Sequence, residues 1–333
     1  MTRQQLWTLA TVLSVLLLAR TGAATAGQGT TLLTPWGDPD LRGIWTNATS
    51  IPFERVDRRP PAEGRSRQPA PGDNDPNVSS VGAYNAFWSE RGAGEKGVDE
   101  REGRRPDQTA LLVDPEDGKL PPWTADAQQW ADDIEAVRRL ERPVSWVDLN
   151  PYDRCITRGV PGAMMPGFYN HNYQIVQTPD HVAILIEMIH DVRIVPLDGR
   201  PHLGSGLGQW MGSSRGRWEG QTLVVETVNF NDKIREFMGT AMRLSNGDPQ
   251  IRFYGAFGTP TLTLVERFTR TDADTIDYRF TVTDAATYAG SWTVAAPMAR
   301  IEGPVFEYAC HEGNYSMPNV LQAARAQEQS PGQ

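Results

Sequence analysis

From Tyr173 onward the hydrophobic period of the chain is two, and short links between successive runs force antiparallel neighbours. The runs are YQIVQTP, HVAILIEMIHDVRIVPLDG, RGRWEG, QTLVVETVNF, LTLVERFTRT, TIDYRFTVTD, WTVAAPMARI and VFEYACH. Between them stand turn-like pieces such as PD, LDGRP, WEGQ and TDAD. Parallel strands need crossovers of roughly a dozen residues, usually helical. No helix separates these runs, so βαβ winding is excluded. The pattern predicts a mainly β fold: an antiparallel meander, barrel-like or a sandwich. Closure removes exposed edges, which favours the barrel.

The region before these strands is different in kind. DPDLRGIWTNAT reads as a short first strand around Gly43 and Trp45. Residues 54–109 are polar and rich in Arg, Gly, Pro and Asp, with neither hydrophobic period, so they read as loop. The aromatic knot YNAFW, residues 84–88, is expected to pin that loop to the body, with a binding role as the second choice. LPPWTADAQQWADDIEAVRRLERP reads as the one main amphipathic helix. Thr124 caps it, Asp126 and Arg138-Arg139 match its dipole, and Trp130, Ile134 and Val137 form a core-facing stripe. The expected layout is an export signal at 1–26 and an extended irregular segment at 27–120. A helix follows at 121–143, an antiparallel β domain at 144–318 and a frayed C-terminal tail at 319–333.

The export signal is read from Arg3, the apolar run LWTLATVLSVLLLA and the small-residue site ATA ending at Ala26. That run is shorter than the roughly 20 residues of a membrane span. The mature protein is therefore expected to be secreted or periplasmic, with no membrane span. Cys155 and Cys310, the only cysteines, are then expected to pair, closing a long loop worth about 4–5 kcal/mol by chain entropy. Two cysteines alone build no thiolate zinc site. The formal net charge of -9 comes without a basic stripe, which argues against nucleic acid as a partner.

The catalytic-looking motifs lose their force in context. GSSRG fits the nucleophile-elbow pattern with Ser214 as nucleophile, but RWEGQTLVVETV after it is a hairpin, not a helix. GSGLG follows no Rossmann unit and opens no helix. None of the five histidines forms H-x-H or H-E-x-x-H, so neither metal nor cofactor is expected, with a metal site assembled across strands as the minority alternative.

The densest group of ionisable residues is ILIEMIHDVRIVPLDGRPH, residues 184–202. Taken as one strand, it puts His190 on one face as the lone polar group. Glu187, Asp191 and Arg193 fall on the other, where Glu187 and Arg193 can hold each other's charge. The functional expectation is that Glu187, His190, Arg193 and His202 surround one pocket. Glu187 and His190 would be the acid–base pair and Arg193 and His202 ligand-binding. A bulge between Met188 and Asp191 would turn His190 inward. Asp198 braces the turn that delivers His202. Trp210, Trp218 and Trp292 read as packing or, at a barrel mouth, as a platform for a flat apolar or sugar-like ligand. The plain structural account makes these groups an ion pair and a packed histidine.

The blocks YNHNYQIVQTPDHVAILIEMIHDVRIVPLDGRPH, GSSRGRWEGQTLVVETVNF, LVERFTRTDADTIDYRFTVTD and EYACHEGNY resemble a widespread family of secreted bacterial proteins of unassigned function. The resemblance runs from about Tyr84 to the end. It implies export and no particular activity. Gly43-x-Trp45 resembles the first-strand signature of lipocalin-type barrels, which implies a calycin-like body.

The leading expectation is an exported β-barrel-like protein that binds a small, partly apolar molecule in a cavity or at its mouth. The alternatives are a cofactor-free acid–base enzyme (hydrolase, lyase or isomerase) using His190 and Glu187, and a structural envelope or interaction protein. Nothing in the sequence sets an oligomeric state.

Overall fold

The computed structural model of the chain describes residues 32–49, 51–55, 108–130, 143–149, 151–166, 170–233 and 259–329. The expected export signal, the aromatic knot at 84–88 and residues 131–142 of the expected helix lie outside these. Residues 125–130 are helical, and the Thr124 hydroxyl accepts from the Ala127 N–H at 3.1 Å, as a cap should.

Among the described residues there are eleven strands: β1 Gly43–Thr46, β2 Leu112–Asp114, β3 Asn172–Gln177, β4 His181–Ile186, β5 Val192–Pro196, β6 Ser213–Glu219, β7 Thr222–Val228, β8 Thr263–Arg270, β9 Thr275–Thr283, β10 Trp292–Ala295 and β11 Met298–Ile301. They form one antiparallel sheet in the order β5-β4-β3-β1-β11-β9-β8-β7-β6, with β10 pairing β9 and β2 off that path. Two meanders, β3-β4-β5 and β6-β7-β8-β9, are thus joined through β1 and β11.

Turn chemistry explains the hairpins. Gly220 at φ 60° opens the two-residue link between Glu219 and Thr222, where most side chains would be strained. The run WTVAAPMARI does not stay one strand. It follows β9 along its length but breaks at Ala296-Pro297, because proline has no N–H to give a ladder. VFEYACH, expected as a strand, is an irregular strap instead. The chain ends its described part in a regular helix, Ser316–Gln329, tied down by Arg325 to the carbonyls of Pro143 and Val144.

The sheet is not closed. Its edges β5 and β6 are not paired with each other, so the expected closed barrel is corrected to an open, curled sheet. Side chains bridge the seam. A Cβ on Gly216 of β6 would sit 2.6 Å from Leu197 and 2.8 Å from Val195, so glycine there lets Val195 of β5 and Leu197 just beyond it lie directly on β6.

The inner face carries Trp45, Tyr173, Phe268, Phe280 and Trp292, all essentially inaccessible. Trp45 donates to the Leu41 carbonyl at 2.9 Å, and the guanidinium groups of Arg270 and Arg300 lie 5.4 and 5.7 Å from its ring. The interior also holds charge. Arg193 on β5 and Glu266 on β8 form a two-pronged ion pair, and the Tyr278 hydroxyl donates to Glu266 at 2.9 Å. Burial works to lower the Arg193 pKa, but the Glu266 carboxylate outweighs it and holds the guanidinium above its ordinary value. Burial, then the charge of Glu266, pushes the Tyr278 phenol well above its usual range, so it remains a donor.

Candidate functional site

The stretch expected as one strand with a bulge is a hairpin. β4 ends at Ile186 and β5 begins at Val192, with Leu185 opposite Val192. Met188–His190 is a short 3₁₀ turn, and Ile189 and His190 adopt φ of 65° and 53°. Ile186 N–H donates to the Asp191 carbonyl at 2.8 Å, closing the turn. Burial raises the Asp191 pKa, against a 2.7 Å hydrogen bond from the Thr157 hydroxyl.

This turn presents Glu187. Its N–H donates to the Asn172 carbonyl at 3.0 Å, fixing its backbone to the start of β3. Its carboxylate accepts from the Asn172 side-chain amide at 2.6 Å and from the Phe306 N–H at 3.1 Å. Glu187 is only 2% exposed, yet it lines a cleft of about 1030 Å³.

The opposite walls come from two segments held by one covalent bond. Cys155 and Cys310 are bridged with Cα atoms 5.7 Å apart, the pairing expected of the only two cysteines. The bridge seats the strap, residues 302–315, against the turns around Tyr152 and Asp153. Asn314 adds hydrogen bonds to the Asp153 carbonyl at 3.2 Å and to the Cys155 sulfur at 3.3 Å.

The described cleft lining has a consistent chemistry. Four aromatic side chains contribute, Tyr152, Phe306, Tyr308 and Tyr315, and the carboxyl groups are Asp153, Glu187, Glu307 and Glu312. Asn170, Asn172 and Asn314 supply amides, and no Lys or Arg is among the described lining residues. Phe306 and Tyr315 are 68% and 73% exposed, so they form the rim, while Tyr308 packs towards the core. Behind the wall, Arg158 lies 5.2 Å from the Tyr152 ring and 3.3 Å from His171 Nε2. Burial first, and Arg158 second, depresses the His171 pKa to about 3, so this histidine is neutral.

The residues expected to share one pocket are dispersed. Glu187 lines the cleft. His190 is exposed on the turn, its ring 6.4 Å from that of His311, and neither lines the cleft. Arg193 points into the interior and pairs with Glu266, so the expected Glu187–Arg193 pair does not form. Residues 187 and 193 flank a turn, and a strand's alternation does not carry through it.

His202 sits in the loop before β6. Its Nε2 is 3.1 Å from a Glu226 carboxylate oxygen and its Nδ1 is 3.4 Å from the Ser213 hydroxyl. Arg215 fixes that loop by donating to the carbonyls of Arg200 and Pro201 at 3.1 and 2.9 Å. Asp198 braces the turn as expected. It accepts from the Arg200 N–H and guanidinium, and the guanidinium above all lowers its pKa to about 2. Trp210 and Trp218 are half-buried and away from the cleft lining, with the Lys233 ammonium 5.9 Å from the Trp210 ring. Ser214 lies on β6 and shares a 2.9 Å hydrogen bond with Thr227, so it stands on no strand–turn–helix elbow.

Missing from the sequence reading were the strap aromatics and Tyr152. The cysteines held the signal: Cys155 and Cys310 each have a tyrosine within a few residues, and pairing them brings those aromatics to one place.

Among the described residues, no three His, Cys, Asp or Glu side chains are grouped to hold a metal ion, and no helix is long and apolar enough to cross a membrane. Comparison with known proteins gives no match to a protein-family model, a curated protein or a solved structure.

Proposed function

We propose that this is an exported protein that binds a small, partly apolar molecule in the cleft beneath the C-terminal strap. One observation carries the reading: a cleft of about 1030 Å³ lined by four aromatic side chains and a buried carboxyl group. Small-molecule sites have this character, mostly apolar walls with a few placed polar groups. Export is supported by the signal-like residues 1–26 and by the Cys155–Cys310 bridge, which suits an oxidising compartment. The acid–base alternative has less support. Both carboxylate oxygens of Glu187 already accept hydrogen bonds, and His190 does not line the cleft.

The test uses phenylpropanol, a neutral molecule with an aromatic body, followed by titration calorimetry and ligand-observed NMR. Phe306→Ala and Tyr315→Ala should each weaken its binding by roughly fivefold to tenfold, the worth of one lost aromatic contact. Binding that ignores both substitutions would place the ligand elsewhere and end this reading.

A further inference from the structure

The cleft lining is one-sided in charge. Glu187, Asp153, Glu307 and Glu312 contribute carboxyl groups, and no basic side chain among the described lining residues answers them. Glu187 makes the point independently of the surface acids. It is 2% exposed, and its carboxylate meets two N–H donors, from Asn172 and Phe306, but no cation among the described residues. A buried carboxylate held only by neutral donors lacks a counter-charge, and supplying one is favourable. The rim supplies a second element of recognition. Phe306 and Tyr315 are largely exposed aromatic rings beside that carboxylate's cleft, and aromatic faces attract cations through their quadrupoles. Tyr152 is different, because Arg158 already lies against its ring from behind.

Resting on the binding reading above, we infer that the ligand is an organic cation: a substituted ammonium group with an apolar body. The cationic head would sit against Glu187 and the rim aromatics, and the apolar body along Tyr152 and Tyr308. Carboxylates, phosphates and nucleotides would meet like charge in the same space and are disfavoured.

Three molecules of one shape separate this inference from the reading beneath it: phenylpropyl-trimethylammonium, phenylpropanol and phenylpropanoate. Titration calorimetry at low salt should rank them cation, alcohol, anion, with the cation ahead of the alcohol by about tenfold. The lead should shrink in higher salt, because Glu307 and Glu312 are exposed and screened. It should also shrink in Glu187→Gln and in the double variant Glu307→Gln with Glu312→Gln. The double variant keeps the test decisive if loss of the Glu187 carboxylate disturbs the strap. Equal affinity for cation and alcohol, both weakened by Phe306→Ala, would overturn the charge inference and leave the binding site standing. Binding of none of the three, or binding indifferent to Phe306→Ala, would overturn both.

Discussion

Replacing Glu266 by Gln is expected to cost this protein about 3–5 kcal/mol of stability. The Arg193 and Glu266 side chains are 1% and 0% exposed, so neither charge has water to turn to. They meet through two contacts, one at 2.9 Å, and Tyr278 adds a third to the same carboxylate. Glutamine keeps the shape but strips the charge and aims an amide N–H₂ at donors, leaving Arg193 charged and buried. Breaking one side of such a pair has that cost, whereas exchanging the whole pair for apolar side chains of similar size is nearly neutral. The triple variant Arg193→Met, Glu266→Leu, Tyr278→Phe removes all three polar groups together. It should therefore recover to within about 2 kcal/mol of the parent, far from the sum of the single losses. Urea unfolding with unchanged m-values measures each step. A loss below about 1 kcal/mol for Glu266→Gln would refute the reasoning. It would mean that water reaches the pair, and hence that the curled sheet does not shut its interior.

Two further outcomes follow from buried groups. His171 titrates at about 3 in the folded protein but near 6.5 once unfolded, so between those values the unfolded state alone takes up the proton. Stability should fall by about 1.4 kcal/mol per pH unit on acidification through that window, and His171→Gln should remove this one-proton slope in urea titrations at pH 7 and pH 5. Converting Cys155 and Cys310 together to serine opens a loop of 155 residues and should cost up to about 5 kcal/mol by chain entropy, measured by urea unfolding without reductant. No measurable loss would show that the denatured chain is already held by other means.

Period-two patterning made the antiparallel sheet legible, because alternation reports a half-covered surface wherever the chain runs straight. It failed where the chain bends without its usual markers. The Glu187–Asp191 turn contains no Gly, Pro or Asn, and bends through positive φ at Ile189 and His190, residues that seldom adopt it. Reading straight through that turn gave Arg193 the wrong partner. Its actual partner, Glu266, is 73 residues away on another strand, and no local pattern announces such a pairing. Closure failed for a related reason: alternation fixes which face a side chain takes, but not whether two distant edges pair. Of the candidate site, Glu187 was visible as an acid inside an oily run. The strap was not, because VFEYACH alternates like a strand, whereas residues 302–315 join no described strand and derive their place from a disulfide and a few hydrogen bonds.

The seam between β5 and β6 gives this sheet a freedom that a closed barrel lacks. In a barrel, strand number and stagger fix the girth, and no strand can shift without breaking a full ladder. Here the circumference is completed by Val195 and Leu197 resting on Gly216, and by one ion pair reaching from β5 to β8. At this seam side-chain size rather than a hydrogen-bond ladder therefore limits how closely β5 and β6 approach, so a larger residue at Gly216 should push the two edges apart without a ladder between them to break.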